Sequence, residues 1–233
     1  MRAGGSPTVP VVDPLRLISD QRCAGCAARG ALLCAGCRRA LPWLRGPLCP
    51  RCGEAAPRAA DGCTGCARLG RHVATARSAL AFEGAAVSLI REWKDRGRVQ
   101  IGTIAATCVA GAVPRPEVDA IAAVPAARER AAWRGVDGPG DLADALGRTW
   151  RLPVGSDSLR RVHERPQRGL SAAERRRNAA GAIRAVRPVR GRILLVDDVM
   201  TTGATLRAAA AALRGAGAAR VDVITLARVA TIV

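Results

Sequence analysis

Eight of the nine cysteines fall into four Cys-x-x-Cys pairs, Cys23/Cys26, Cys34/Cys37, Cys49/Cys52 and Cys63/Cys66, within 44 residues. Such a turn sets two thiolates on one side of a tight knuckle, and two knuckles complete a tetrahedral zinc site. Nearest-neighbour pairing predicts two zinc ions, with an interleaved pairing as the alternative; one or two structural zinc ions are expected. No histidine or carboxylate breaks the four-sulfur pattern, which makes the sites structural rather than catalytic. Disulfides would need an oxidising compartment. The first twenty residues carry Arg2, Asp13, Arg16 and Asp20 with no continuous apolar block, which predicts no secretory signal and a cytoplasmic protein. Cys108 stands apart in the apolar stretch IGTIAATCVAGAV and reads as a packed thiol in a buried helix.

The second chemical signal is ILLVDDVMTTGATL, residues 193–206. Ile193–Val196 reads as a short buried parallel strand, with Asp197 and Asp198 at its carboxyl end. Thr201-Thr202-Gly203-Ala204-Thr205 then opens a helix from Leu206 to Leu213, closed by Gly215 and Gly217. In an open α/β sheet, ligands bind beyond the strand carboxyl ends. A helix N-terminus offers unpaired N–H groups to an anion, the threonine hydroxyls add donors, and Gly203 lets the backbone approach closely. Paired carboxylates suit vicinal hydroxyls. Together these parts predict a site for a 5-phosphorylated ribose. A triphosphate P-loop is excluded, because no GxxxxGK[ST] occurs.

The elements that carry these residues are limited by composition. The chain has 233 residues, 49% of them hydrophobic, enough for a core, but only five aromatics (Trp43, Phe82, Trp93, Trp133, Trp150), so that core is aliphatic. No apolar run reaches the roughly 20 residues of a membrane span. The +18 net charge is concentrated. Residues 1–72 hold eleven basic side chains against four acidic, and residues 151–192 hold twelve arginines against three acidic residues. Such blocks attract polyanions. The cysteine segment has too few large apolar residues for its own core, so metal binding should supply much of its folding free energy.

The stretch 193–206 resembles the diphosphoribosyl (PRPP) signature of type I phosphoribosyltransferases. The cysteine module, with AFEGAAVSLIREWKDRGR (81–98), AAVPAARERAAWRG (122–135) and RPQRGLSAAERRRNAAGAI (165–183), narrows the resemblance to the ComF family of competence-associated proteins. It implies an α/β fold: a type I phosphoribosyltransferase parallel-sheet domain over 73–233, preceded by a zinc-ribbon-like domain over 20–72 and a lead-in over 1–19. It further implies Mg²⁺ with PRPP, ribose contacts from Asp197 and Asp198, and a 5-phosphate loop over Val199, Met200, Thr201, Thr202, Gly203, Ala204 and Thr205. A pyrophosphate loop would follow the strand Asp119–Val124, using Val124, Pro125, Arg128, Arg130 and Arg134. A basic hood would use Arg165, Gln167, Arg168, Arg175, Arg176 and Asn178, with His163 just before it. Lys94, the only lysine, matches a family lysine but also reads as a plain surface-helix residue. Where the family often has RGFNQ, this chain has Arg134-Gly135-Val136-Asp137-Gly138, which puts an acceptor-base contact there in doubt.

Two functions follow from the resemblance. The first is a PRPP- or ribose-5-phosphate-binding protein of DNA uptake, with single-stranded DNA and uptake-machinery proteins as partners and a peripheral association with the membrane machinery. Trp133 among Arg128, Arg130 and Arg134 is the aromatic best placed to stack on a base, so DNA contact should be phosphate-dominated and salt-dependent. The second is an active phosphoribosyltransferase of nucleotide salvage. A complete amidophosphoribosyltransferase is not expected, because the sequence carries no glutaminase domain or N-terminal cysteine nucleophile.

Overall fold

The computed structural model describes residues 21–55, 63–126, 136–155, 157–162 and 182–230. In chain order the elements are α1 (Ala35–Arg39), α2 (Thr64–Leu69), β1 (Ala76–Ala81), α3 (Gly84–Asp95), α4 (Ile101–Ala112), β2 (Ala120–Ala123), α5 (Gly138–Trp150), β3 (Leu159–Arg161), β4 (Ile183–Ala185), β5 (Arg192–Met200), α6 (Ala204–Gly215) and β6 (Arg220–Arg228). Four strands form a parallel sheet in the order β1-β6-β5-β2. β3 and β4 pair antiparallel in a separate two-stranded sheet.

Both faces of the parallel sheet are covered, as continuous apolar strands require. On β5, Leu194 and Val196 face a core built from α3, α4 and α5, including Leu89, Trp93, Ile101, Leu142 and Leu146. Ile193 and Leu195 face the opposite core, with Leu206 and Leu213 of α6 and Leu69 of α2. β6 divides the same way, Ile224 and Leu226 to one side and Val221 and Val223 to the other. The result is the α/β/α layering that the sequence resemblance implies, with a cysteine-rich, zinc-ribbon-like region ahead of it.

That cysteine-rich region is docked on the sheet. Leu44 N–H donates to the Ala79 carbonyl (3.0 Å) and Ala81 N–H to the Pro42 carbonyl (2.8 Å), so residues 42–44 cover the free edge of β1. An exposed edge would otherwise present unpaired backbone groups. At the other end, Arg228 of β6 is buried and pairs with Glu54, while its Nη1 donates to the Cys52 carbonyl (2.7 Å). Cys108 packs in α4 at 4% exposure, and burial pushes its thiol up to about 11, as an inert core residue should be.

Two expected boundaries shift. The strand predicted to stop at Val196 runs on to Met200, because β6 pairs with it as far as Met200 opposite Arg228. The helix after the turn is longer at both ends than predicted, Ala204–Gly215.

Candidate phosphoribosyl site and metal centres

The turn between β5 and α6 is built by one glycine. Gly203 is the N-cap of α6 with φ 71°, a left-handed conformation that L side chains rarely adopt. The first helical bond runs from Arg207 N–H to the Gly203 carbonyl (2.9 Å). Ahead of it, Ala204 N–H makes one long bond to Thr202 Oγ1 (3.4 Å), and Thr205 and Leu206 N–H have no partner among the described residues. Thr201 and Thr202 are exposed. A polar, uncapped helix N-terminus therefore faces outward at the carboxyl end of β5. Val199 and Met200 still belong to the strand, and the Met200 side chain is buried.

Asp197 and Asp198 lie inside β5 rather than after it, so their side chains leave the strand on opposite faces. Asp197 shares the face of Ile193 and Leu195 and is partly exposed. Its Oδ1 accepts from Asp198 N–H (2.9 Å). Burial, followed by repulsion from Asp198, pushes its carboxyl up to about 8, against the lowering effect of that N–H, Lys94 and Arg161. Asp198 turns to the α3–α5 side, is only 6% exposed, and receives Lys94 Nζ at 2.5 Å. The only lysine in the chain is therefore a partner of the acidic pair and not a plain surface residue. The ion pair engages Oδ2, which leaves Oδ1 of Asp198 as an acceptor.

The departure from RGFNQ has a local explanation. Asp137 caps α5, accepting from Gly140 N–H (3.2 Å). A Cβ on Gly138 would stand 3.0 Å from Asp198 Oδ2, so a side chain there would crowd the carboxylate. Trp93 Nε1–H donates to Asp141 (3.1 Å) from α3, next to Lys94. Burial raises the carboxyls of both Asp137 and Asp141.

Val124 and Pro125 follow β2, beside β5, with Val124 N–H donating to the Val196 carbonyl (2.9 Å). Arg161 Nε donates to the Pro125 carbonyl (2.8 Å), which brings a guanidinium to the Asp197 side of the sheet. Sequence reasoning did not single out Arg161: it is one of twelve arginines between 151 and 192, and only the fold selects it. Arg128, Arg130, Trp133, Arg134, His163, Arg165, Gln167, Arg168, Arg175, Arg176 and Asn178 lie outside the described residues.

The cysteines gather as two separate clusters, Cys23/Cys26/Cys34/Cys37 and Cys49/Cys52/Cys63/Cys66, each with its sulfurs within 4.8 Å of one another. This is the nearest-neighbour pairing. Sulfur separations of 3.8 Å (Cys26–Cys34) and 3.5 Å (Cys49–Cys66 and Cys52–Cys63) fit a zinc tetrahedron, whose bonds of about 2.3 Å imply edges of about 3.8 Å. Backbone N–H groups of Gly25 and Cys34 point at Cys23 Sγ (3.4 and 3.3 Å). Burial raises the Cys23 thiol, but backbone donors of Cys34, Cys26 and Gly25 outweigh it and hold it at about 6. A thiolate is the state a metal needs. Both clusters can therefore hold zinc, which would act here as a structural crosslink.

The second cluster touches the turn. α2 follows directly on Cys63 and ends at Leu69; the Leu69 side chain stands 3.8 Å from the Cβ position of Gly203, and Arg207 of α6 donates to the Arg68 carbonyl. Arg51 ties the same segment together through the carbonyls of Cys66 (3.0 Å), Gly70 (2.5 Å) and Val73 (3.2 Å).

A family profile described as phosphoribosyl transferase domain matches residues 159–231. Competence protein F of Haemophilus influenzae is 40% identical over 116 residues, covering 47% of this chain and 50% of that protein. DNA utilization protein YhgH of Escherichia coli O157:H7 is 38% identical over 112 residues, covering 47% and 49%. Over about half of its length, then, the chain is similar to a competence protein and to a DNA utilization protein, and over 159–231 to phosphoribosyl transferase domains. It spans about half the length of the curated relatives it matches. Among solved structures, the chain is similar to glutamine phosphoribosylpyrophosphate amidotransferase from B. subtilis, at 24% identity and TM-score 0.37, over 55% of this chain and 25% of that one. No helix among the described residues is long and apolar enough to cross a membrane.

Proposed function

We propose that the β5–α6 turn binds the phosphoribosyl part of PRPP or a ribose 5-phosphate, in a protein that handles single-stranded DNA during uptake for natural transformation. The observation that carries this reading is the outward-facing, uncapped α6 N-terminus led by Gly203, at the end of the strand that holds Asp197. The 5-phosphate would accept from the N–H groups of Ala204, Thr205 and Leu206 and from the Thr201 and Thr202 hydroxyls. Ribose hydroxyls would donate to Asp197 and to Oδ1 of Asp198, with Lys94 still paired to Oδ2. Pyrophosphate, arriving with Mg²⁺, would lie toward Pro125 and Arg161, and the resemblance makes Arg128, Arg130, Arg134 and the hood residues the candidates to neutralise it. Positioning and charge stabilisation would be the catalytic contribution if the chain turns PRPP over, with no covalent nucleophile. The names of the relatives, a competence protein and a DNA utilization protein, support the DNA role. So does the excess of arginine. The chain divides, on this reading, into a lead-in (1–19), a metal module (20–72) and a phosphoribosyl domain (73–233).

Calorimetric titration of PRPP with Mg²⁺ into the wild type and Asp197→Asn tests the site. Binding by the wild type that is much weaker in the variant is expected; no binding by the wild type removes the reading. Pyrophosphate release on adding free nucleobases, with no oligonucleotide binding, would replace it with nucleotide salvage.

A further inference from the structure

We propose that the outer face of the β3–β4 sheet is a docking surface for single-stranded nucleic acid, with Arg160 and Arg184 holding phosphates and the cavity beside Arg187 and Arg190 receiving a base. This rests on the DNA reading above and assigns it a surface distinct from the phosphoribosyl turn.

The register of the small sheet sets Arg160 directly opposite Arg184. Directly opposed side chains stand about 5 Å apart at Cβ, and like charges there are destabilising. Both arginines are exposed, and neither has a hydrogen bond or ion pair among the described residues. The register is not free to slip, because the inner face is fixed: Leu159 and Ile183 are buried in the core that includes α6. Bonds from Val162 N–H to the Ala182 carbonyl (3.0 Å) and from Val186 N–H to the Ser158 carbonyl (3.0 Å) extend the same pairing on both sides. The fold thus sets two arginines directly opposite each other, with no ion-pair partner among the described residues. A phosphodiester bridging them turns repulsion into two charge-assisted hydrogen bonds.

A cavity opens beside the small sheet. Ser158, the buried residue just before β3, lines a space of about 330 Å³ together with Val154, Ile193 and Leu213, with Arg187 and Arg190 also on its lining. Arg187 and Arg190 are exposed and likewise have no partner among the described residues. Val186, on the face of Arg184, is 47% exposed. The described residues of 157–162 and 182–190 hold five arginines against Asp157 alone. An apolar-walled space with a cationic mouth beside paired phosphate grips suits a nucleotide chain. An acidic peptide has nothing to put in the cavity, and one exposed valine is no membrane anchor.

The test is fluorescence anisotropy of a labelled oligothymidylate at two salt concentrations, using the full chain. Arg160→Glu/Arg184→Glu should weaken binding at least about fivefold and flatten the salt dependence, by about 0.7 in log–log slope for each phosphate no longer gripped. Arg187→Ala/Arg190→Ala should also weaken it, whereas Arg91→Glu, on α3, should not. PRPP titration of the first variant should match the wild type. Removing both opposed charges with Arg160→Thr/Arg184→Thr should raise the melting temperature while weakening oligonucleotide binding. Wild-type binding of the oligonucleotide with all variants unchanged would overturn the surface and leave the DNA reading intact. No wild-type oligonucleotide binding would overturn both. Poly-glutamate competing as well as oligothymidylate would overturn the choice of ligand.

Discussion

Asp197 carries the chemistry of the proposed site, and its protonation controls it. Its carboxyl is raised to about 8 by burial and by Asp198. A ribose hydroxyl donates best to the ionised form, so PRPP affinity should rise with pH up to about 8 and then level off, and Asp197→Asn should bind weakly with no such rise. Linkage fixes the effect on stability. A carboxyl with a raised native pKa binds more protons folded than unfolded, so stability falls as pH climbs from its ordinary value toward 8. Thermal melts of Asp197→Asn should therefore gain on the wild type at pH 8 and lose that advantage near pH 4. Lys94 has the complementary role. Lys94→Gln strands Asp198, which is 6% exposed, without its cation. The loss should be about 2 kcal/mol, below that of a fully buried pair because Lys94 is itself part-exposed. Asp198→Asn placed on top of Lys94→Gln should recover most of it in denaturant melts, since the stranded charge is then gone.

At the level of elements, the second cysteine cluster and the β5–α6 turn form one construction. α2 holds Leu69, 2% exposed, against the turn, and Arg207 reaches back to the Arg68 carbonyl. Loss of metal from Cys49/Cys52/Cys63/Cys66 should loosen α2 and weaken PRPP binding, whereas Cys23→Ser/Cys26→Ser in the first cluster should leave that binding close to wild type. Zinc content by metal analysis, paired with calorimetry on each variant, checks the difference. The β5–turn–α6 unit is legible in the sequence because its signals are local: an apolar run, two carboxylates, a glycine and threonines within fourteen residues. The four Cys-x-x-Cys pairs are legible for the same reason. The partnerships of Lys94 with Asp198 and of Arg161 with Pro125 are not, since each joins segments far apart in the chain and depends on how α3 and β3 pack. The strand end is misread because aspartates look like a stop, while pairing with β6 carries the ladder through them.

For the whole molecule, the question is how a region with little core of its own stays attached to the parallel sheet. Edge pairing of residues 42–44 with β1 contributes hydrogen bonds, but the buried contact is Arg228 with Glu54 and the Cys52 carbonyl. The Arg228 side chain is buried, and its Nε has no partner among the described residues. A buried pair of this kind adds little net stability over a well-packed apolar pair, yet losing one member costs roughly 3–5 kcal/mol because the other charge is left bare. Glu54→Gln keeps the shape and removes the charge, so it isolates that cost. It should destabilise the chain markedly, and because Cys52 is held through the same arginine, zinc in the second cluster should become easier to strip with a chelator. Arg228→Met/Glu54→Leu should recover much of the melting temperature but not the chelator resistance, because the donor to the Cys52 carbonyl is then missing. If both variants release zinc at the wild-type rate, the arginine stabilises the sheet alone, and the metal module is held by its edge pairing with β1.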